Sequence, residues 1–236
     1  MRQSYLKNAA LMTGADVLLR LAGMGLRIWL ANALGGEGMG LYQLVLAVYS
    51  LFVTLATAGV SVAATRLMAE ELARSPAEAR GMLHRLLLAG AGLGVLALAA
   101  QSGLAGLAAK WWLGDVRAAG ALRVSSLGLP WMAVSSVLRG FFIARRQVEP
   151  NVLSQLAEQT VRIGIVWAAL ERADALGWDV GRRCTAVLGA TAVSEAVSTV
   201  LMALFYRREA RHCFGPKPAQ RPQDPGRRLW DILWPV

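Results

Sequence analysis

Three ionisable residues lie inside an apolar stretch of the sequence that runs from about Ala9 to Ala33. Asp16, Arg20 and Arg27 fall within about 40° of one another at ~100° per residue, so a helix carries them as one narrow stripe. In a membrane helix each charge costs at least ~2.5–3.5 kcal/mol and needs a partner or a water-filled cavity. Asp16 is placed to pair with Arg20 one turn on. Arg27 has no local partner, so we predict that the two arginines line a cavity, where Arg27 is available to an anion or another helix.

Two later apolar segments also contain ionisable residues. Glu158 and Arg162 are four residues apart, a spacing typical either of an internal ion pair that fixes helix packing or of a cavity wall. Glu195 is alone in its segment, so it is either a proton site or a partner of Arg139 or Arg162 on another helix. The candidate substrate-binding, cavity-lining residues are therefore Arg20, Arg27, Asp16, Glu158, Arg162 and Glu195.

Signatures of enzyme chemistry are missing from the sequence. It contains no Walker, kinase or GxSxG pattern, and its two histidines, His84 and His212, have no spacing typical of a metal site. The glycines of Gly90–Gly94 lie inside an apolar segment with no preceding strand, which favours close helix packing over a dinucleotide loop. The sequence therefore predicts no enzyme, no catalytic residue, no metal and no cofactor.

The elements that position these residues are predicted to be membrane helices. Of 236 residues, 56% are hydrophobic and 17% are charged, against about 25% charged in soluble domains. Six apolar segments have the length of a membrane-spanning helix, and none shows the alternation of a barrel strand. They run from about Ala9 to Ala33, Leu41 to Ala64, Leu83 to Ala109, Leu122 to Ala144, Val152 to Leu170 and Cys184 to Tyr206. The predicted fold class is all-α, a polytopic membrane bundle of six transmembrane helices.

The net charge of +10 is explained by topology. With the N-terminus inside, fifteen Lys and Arg residues lie in cytoplasmic segments and six in external ones. This bias predicts a multi-pass protein of the cell membrane with both termini cytoplasmic. Nucleic acid is not an expected partner, because the basic residues are dispersed over loops. We expect a six-helix lobe over residues 1–206, a basic cytoplasmic linker over 207–228, and the start of a truncated seventh helix over 229–236.

Several motifs carry a resemblance to a known family. The runs GMGLYQL at 38–44 and AGVSVAATRLMAE at 58–70 resemble the region of the first two helices in the polysaccharide biosynthesis proteins. The runs SVLRGFF at 136–142, EPN at 149–151 and QLAEQTVR at 155–162 are similar to the fourth and fifth helices of the same family. The likeness is to its stage V sporulation protein B branch, within the superfamily of multidrug, oligosaccharidyl-lipid and polysaccharide exporters.

The resemblance implies a flippase built from two helical lobes around a central cavity. Such proteins move lipid-linked oligosaccharides or peptidoglycan precursors between leaflets by alternating access. Arg20 and Arg27 stand where the family places cationic residues on its first helix. Since the family has twelve to fourteen helices, the chain is expected to be the N-terminal lobe. Its expected partners are the bilayer, a lipid-linked anionic glycan, and a second lobe from a missing C-terminal half or another chain.

Two alternatives stay open at this point. An ion-coupled multidrug exporter has the same fold, and the carboxylates of Asp16, Glu158 and Glu195 suit a cationic cargo. An inactive, truncated membrane scaffold is the second alternative, favoured by the missing lobe.

Overall fold

The computed structural model describes the backbone of residues 2–57, 59–74 and 76–213, and the side chains of 13–57, 59–74 and 78–210. Throughout these ranges the regular structure is helical, which confirms the all-α prediction. The helices are α1 (Arg2–Thr57), α2 (Val60–Arg74), α3 (Pro76–Leu107), α4 (Ala118–Ser126), α5 (Leu129–Ala144), α6 (Glu149–Ala175) and α7 (Val180–Cys213), with a π-helical turn (Ala108–Trp112) after α3.

Within the described residues, four stretches are long and apolar enough to cross a membrane. They are Thr13–Arg74, Glu78–Trp112, Ala118–Ala144 and Val180–Ala210. The first has 62 residues. As a straight helix it would measure roughly 90 Å, about three times the thickness of a bilayer core, so it exceeds a single crossing. The fifth predicted segment, Val152 to Leu170, lies in α6, which carries Glu158 and Arg162 and is not among the four. A membrane helical bundle is confirmed, and the count of six spans stays a prediction.

Helix α1 is broken at Gly35. This residue has φ 69° and ψ 178°, a conformation that only glycine adopts without strain. The break divides α1 into an N-terminal arm, residues 2–34, and a C-terminal arm, residues 36–57. The N-terminal arm contains the first predicted segment, and the C-terminal arm contains most of the second, whose last residues, 60–64, instead begin α2.

A second break interrupts the fourth predicted segment. Helix α4 ends at Ser126 and α5 begins at Leu129, with Pro130 in its first turn. Proline fits there because first-turn N–H groups have no intrahelical acceptor. The break places the Gly128 backbone against α1 and α7.

Two faces of α7 meet the two arms of α1. The N-terminal arm contributes Leu30 to a buried cluster with Val166 of α6 and Val187 of α7. The C-terminal arm contributes Val45 to a larger cluster that includes Leu122 of α4. Helix α7 continues to Cys213, seven residues beyond the predicted end at Tyr206, and the rest of the predicted linker and seventh helix lie outside the described residues.

Glycines of α3 allow α5 to approach closely. A Cβ at Gly94 would lie 2.6 Å from Pro130 Cα and 3.0 Å from Ala133 Cβ. A Cβ at Gly90, one turn earlier, would lie 3.0 Å from a methyl of Val137. The predicted helix-packing role of the glycine run is confirmed, and Gly92 has no heavy atom within 4 Å of a Cβ position.

We expect Gly94→Ala to lower the free energy of unfolding by about 1–3 kcal/mol, because the new methyl meets backbone atoms of α5 that cannot rotate away. The matched control is Gly92→Ala, which adds the same methyl to the same helix in open space and is expected to be neutral or stabilising by up to ~1 kcal/mol. Unfolding in mixed detergent–SDS micelles measures both. Equal effects of the two substitutions would show that α3 and α5 are not in close contact.

Charged side chains connect the break in α1 to the start of α4. The Arg117 guanidinium lies 2.8 Å from Glu37 and 2.8 Å from Asp115. The hydrogen bonds that Arg117 donates hold the pKa of the Asp115 carboxyl below its ordinary value. Asp115 and Arg117 lie between two of the candidate spans, whereas Glu37 lies next to the break in α1.

Candidate substrate-facing site

The polar stripe of the N-terminal arm lies exposed on the surface of the bundle. Asp16, Arg20 and Arg27 are all exposed on the described bundle, while Leu30 on the same arm is buried against α6 and α7. The expected pair between Asp16 and Arg20 does not form, although both side chains are described. Within the described part of the chain, neither Arg20 nor Arg27 has a hydrogen bond or an ion pair. Two guanidinium groups are therefore left to an external partner.

A second polar stripe follows on the C-terminal arm. Gln43, Ser50 and Thr54 are exposed, and their spacing of seven and four residues puts them on one face of the helix. The two hydroxyls donate to carbonyls of their own helix at 2.8 Å. The sequence analysis missed this stripe because the segment contains no charge. The heptad-like spacing of its polar residues was the available signal.

The two flanks of the N-terminal arm differ in character. Residues two apart on a helix project about 160° apart, so Arg27 and Trp29 lie on opposite flanks. Trp29 lines an apolar groove of about 280 Å³ with Leu26, Ile163 and Trp167. One flank of α1 is thus suited to acyl chains and the other to water or an anion.

A network of charges joins α5, α6 and α7. Glu158 lies 2.7 Å from Arg162 Nη2 through one carboxylate oxygen and 3.3 Å from Arg139 Nη2 through the other. Arg162 Nε also donates to Ser194 Oγ of α7 at 3.3 Å. The predicted Glu158–Arg162 pair is therefore present, and Arg139 joins it, so that one carboxylate is shared by two guanidinium groups. We call Arg139, Glu158 and Arg162 the arginine triad.

Glu195 is buried and is not paired with an arginine. Its two carboxylate oxygens each accept from the Tyr49 hydroxyl at 2.9 Å, and its residue is 4% exposed. Of the two interpretations from sequence, a partner on another helix is found, but it is Tyr49 of α1 rather than Arg139 or Arg162. The carboxylate packs directly on Gly128, where α4 gives way to α5.

The candidates form two groups. Asp16 and Arg20 belong to the exposed group on α1, whereas Glu158, Arg162 and Glu195 belong to the network among α5, α6 and α7. Among the described residues no cluster of three His, Cys, Asp or Glu side chains is arranged to hold a metal ion.

Comparison with known proteins identifies the family. The family model described as "Polysaccharide biosynthesis protein" matches residues 5–223. The chain is 31% identical over 166 residues to stage V sporulation protein B of Bacillus subtilis (strain 168). That match covers 70% of this chain and 32% of the relative, so the chain spans about a third of the relative's length. No solved structure gives a significant match. By the extent of the family match, the chain belongs to the polysaccharide biosynthesis protein family, in a branch similar to stage V sporulation protein B.

Proposed function

We propose that the chain is the N-terminal lobe of a membrane flippase that moves a lipid-linked anionic glycan, either an oligosaccharide or a peptidoglycan precursor, by alternating access. A second lobe completes the cavity, and both termini are cytoplasmic. Its role is transport rather than catalysis. The observation that carries the proposal is the pair of exposed guanidinium groups of Arg20 and Arg27, which have no partner in the described chain.

The chemistry of a diphosphate headgroup suits these arginines. Guanidinium stays charged in any environment and donates in a planar fork that matches phosphate oxygens. Two such groups on one stripe supply charge for both phosphates, and the exposed polar groups of Gln43, Ser50 and Thr54 on the C-terminal arm supply hydrogen-bonding groups for the sugar. The apolar flank at Trp29 leaves the lipid tail in the bilayer.

Binding of a polyprenyl-diphosphate-linked sugar to the whole chain in nanodiscs tests the proposal. We expect the double variant Arg20→Ala, Arg27→Ala to weaken this binding by about 100-fold or more, since charge-assisted hydrogen bonds contribute about 1.5–3 kcal/mol each. The matched control is Arg85→Ala with Arg123→Ala, which removes the same charge from two other exposed arginines. It should leave the affinity within about twofold.

The same assay separates the alternatives. An organic cation that binds better than the lipid diphosphate would favour a multidrug exporter. Failure of both ligands to bind to folded protein would favour a scaffold. Equal losses in the two double variants would show that general surface charge, rather than the stripe, attracts the headgroup.

A further inference from the structure

The arginine triad carries more positive charge and more donors than its single carboxylate satisfies. Two guanidinium groups and one carboxylate in mutual contact have a net charge of +1. Each guanidinium has five N–H donors. Arg139 Nε is buried and has no hydrogen-bond partner among the described residues. Most buried polar groups in native proteins are hydrogen-bonded, so a buried guanidinium donor without a partner requires an explanation.

The side chains of the triad are partly exposed. The side chains of Arg139 and Arg162 are 28% and 26% exposed, whereas that of Glu158 is 15% exposed. The side chain of Glu158 is therefore the most buried of the three, and both arginine side chains are partly exposed. Glu195 lies nearby, but its oxygens accept from Tyr49 and do not contact either guanidinium.

The triad also lies next to the exposed stripe of α1. Arg27 and Arg162 are each about one turn from the buried cluster that holds Leu30 and Val166 together. Cationic groups thus continue from α1, through Arg162 on α6, to Arg139 on α5.

We propose that Arg139 and Arg162 form a second oxyanion-binding site, selective for phosphate or diphosphate, in which the Glu158 carboxylate occupies the guanidinium groups until the anion displaces it. That this site also binds the headgroup of the transported lipid, after the stripe of Arg20 and Arg27, rests on the proposed function. Binding of a phosphate-class anion at the triad does not.

Inorganic pyrophosphate is the probe, titrated into the whole chain in nanodiscs in an Arg20→Ala, Arg27→Ala background, which removes the contribution of the exposed stripe. We expect Glu158→Gln to lower the Kd for pyrophosphate at least tenfold, because glutamine keeps the shape and removes the competing charge. Glu70→Gln is the matched control, since Glu70 also pairs with an arginine four residues away, Arg66, but on the exposed surface. It should leave the Kd unchanged.

Single Arg139→Gln and Arg162→Gln variants keep the test decisive if Glu158→Gln does not fold. Each retains one partner for Glu158, and we expect each to raise the Kd about tenfold. The proposed anion site would be wrong if neither arginine variant changed the Kd for pyrophosphate, or if a folded Glu158→Gln protein bound pyrophosphate no more tightly. The triad would then serve only to fix the packing of its helices.

A parallel titration with polyprenyl-diphosphate-linked sugar, in the chain with Arg20 and Arg27 intact, separates a lipid headgroup from a free anion. If pyrophosphate binds the triad and the lipid-linked ligand binds neither site, the proposed function fails and the anion site stands. If the lipid-linked ligand binds and the triad variants do not affect either ligand, the second site fails and the proposed function stands.

Discussion

Substitution of Gly128 by alanine is expected to destabilise the lobe by about 3 kcal/mol, although the backbone there is ordinary. Gly128 has φ −73° and ψ −26°, a helical conformation that alanine adopts readily. Its Cβ, however, would overlap the carboxylate of Glu195 and lie 2.8 Å from the Tyr49 hydroxyl. Glu195 is 4% exposed, and its oxygens accept from Tyr49, so moving the carboxylate aside to make room for the methyl costs this buried hydrogen bond.

The control for this experiment is Gly164→Ala, where a Cβ meets no atom within 4 Å. The free energy of unfolding of the unsubstituted chain, Gly128→Ala and Gly164→Ala is measured in mixed micelles. Gly164→Ala is expected to be neutral or slightly stabilising. A double variant, Gly128→Ala with Glu195→Ala, isolates the cause, because it removes the overlapping carboxylate. Relative to Glu195→Ala alone, it should lose much less stability than Gly128→Ala loses in the native background, because only the contact with the Tyr49 hydroxyl remains. If Gly128→Ala destabilises equally in both backgrounds, the collision is not the cause.

How much of the site the sequence predicts depends on how local each contact is. The Glu158–Arg162 pair follows from a spacing of four residues on one helix. The close contact of α3 with α5 follows from two small residues one turn apart, Gly90 and Gly94. Tyr49 and Glu195 are 146 residues apart, and no periodicity relates them. The partner of Glu195 depends on how α1 packs against α7, which is set by the tertiary fold.

Charge was an incomplete guide to polarity. The second predicted segment contains no ionisable residue, so charge alone does not indicate the exposed stripe of Gln43, Ser50 and Thr54. Conversely, charges four apart at Asp16 and Arg20 suggested a pair that the structure does not form. Solvent or a ligand competes with such exposed pairs, whose net stabilisation is small. Partial burial makes the triad different, because a carboxylate withdrawn from water retains its partners more strongly.

These differences assign distinct physical roles to the polar residues. Arg20 and Arg27 have no partner in the described chain and are suited to a ligand that arrives and leaves. In the triad, Glu158 pairs with both arginines, but a net positive charge remains. The triad is therefore suited to exchange the Glu158 carboxylate for a bound anion. Glu195 and Tyr49 are buried and satisfied by each other, so they are suited to fixing how α1, α7 and the α4–α5 break fit together.

That fixing role predicts a large effect for Tyr49→Phe. The substitution keeps the ring and removes the hydroxyl that donates to both oxygens of Glu195. A buried carboxylate without its donor costs more than a neutral group, and we expect a loss of about 3 kcal/mol in the free energy of unfolding. Tyr42→Phe is the control, since the structure records no hydrogen bond for the Tyr42 hydroxyl. It should change stability by less than about 1 kcal/mol.

A double-mutant cycle distinguishes mutual satisfaction from simple packing. Glu195→Leu alone leaves the Tyr49 hydroxyl buried without an acceptor and is expected to cost about 1–3 kcal/mol. Tyr49→Phe combined with Glu195→Leu removes both polar groups, so the double variant should be more stable than the sum of the single losses predicts, by about 1–2 kcal/mol. Additive losses would mean that the 2.9 Å contact contributes nothing beyond side-chain volume. If the losses are additive, the stability of the lobe does not depend on the pairing of Glu195 with Tyr49. That pairing would then no longer be a reason to separate Glu195 from the residues proposed to bind the ligand.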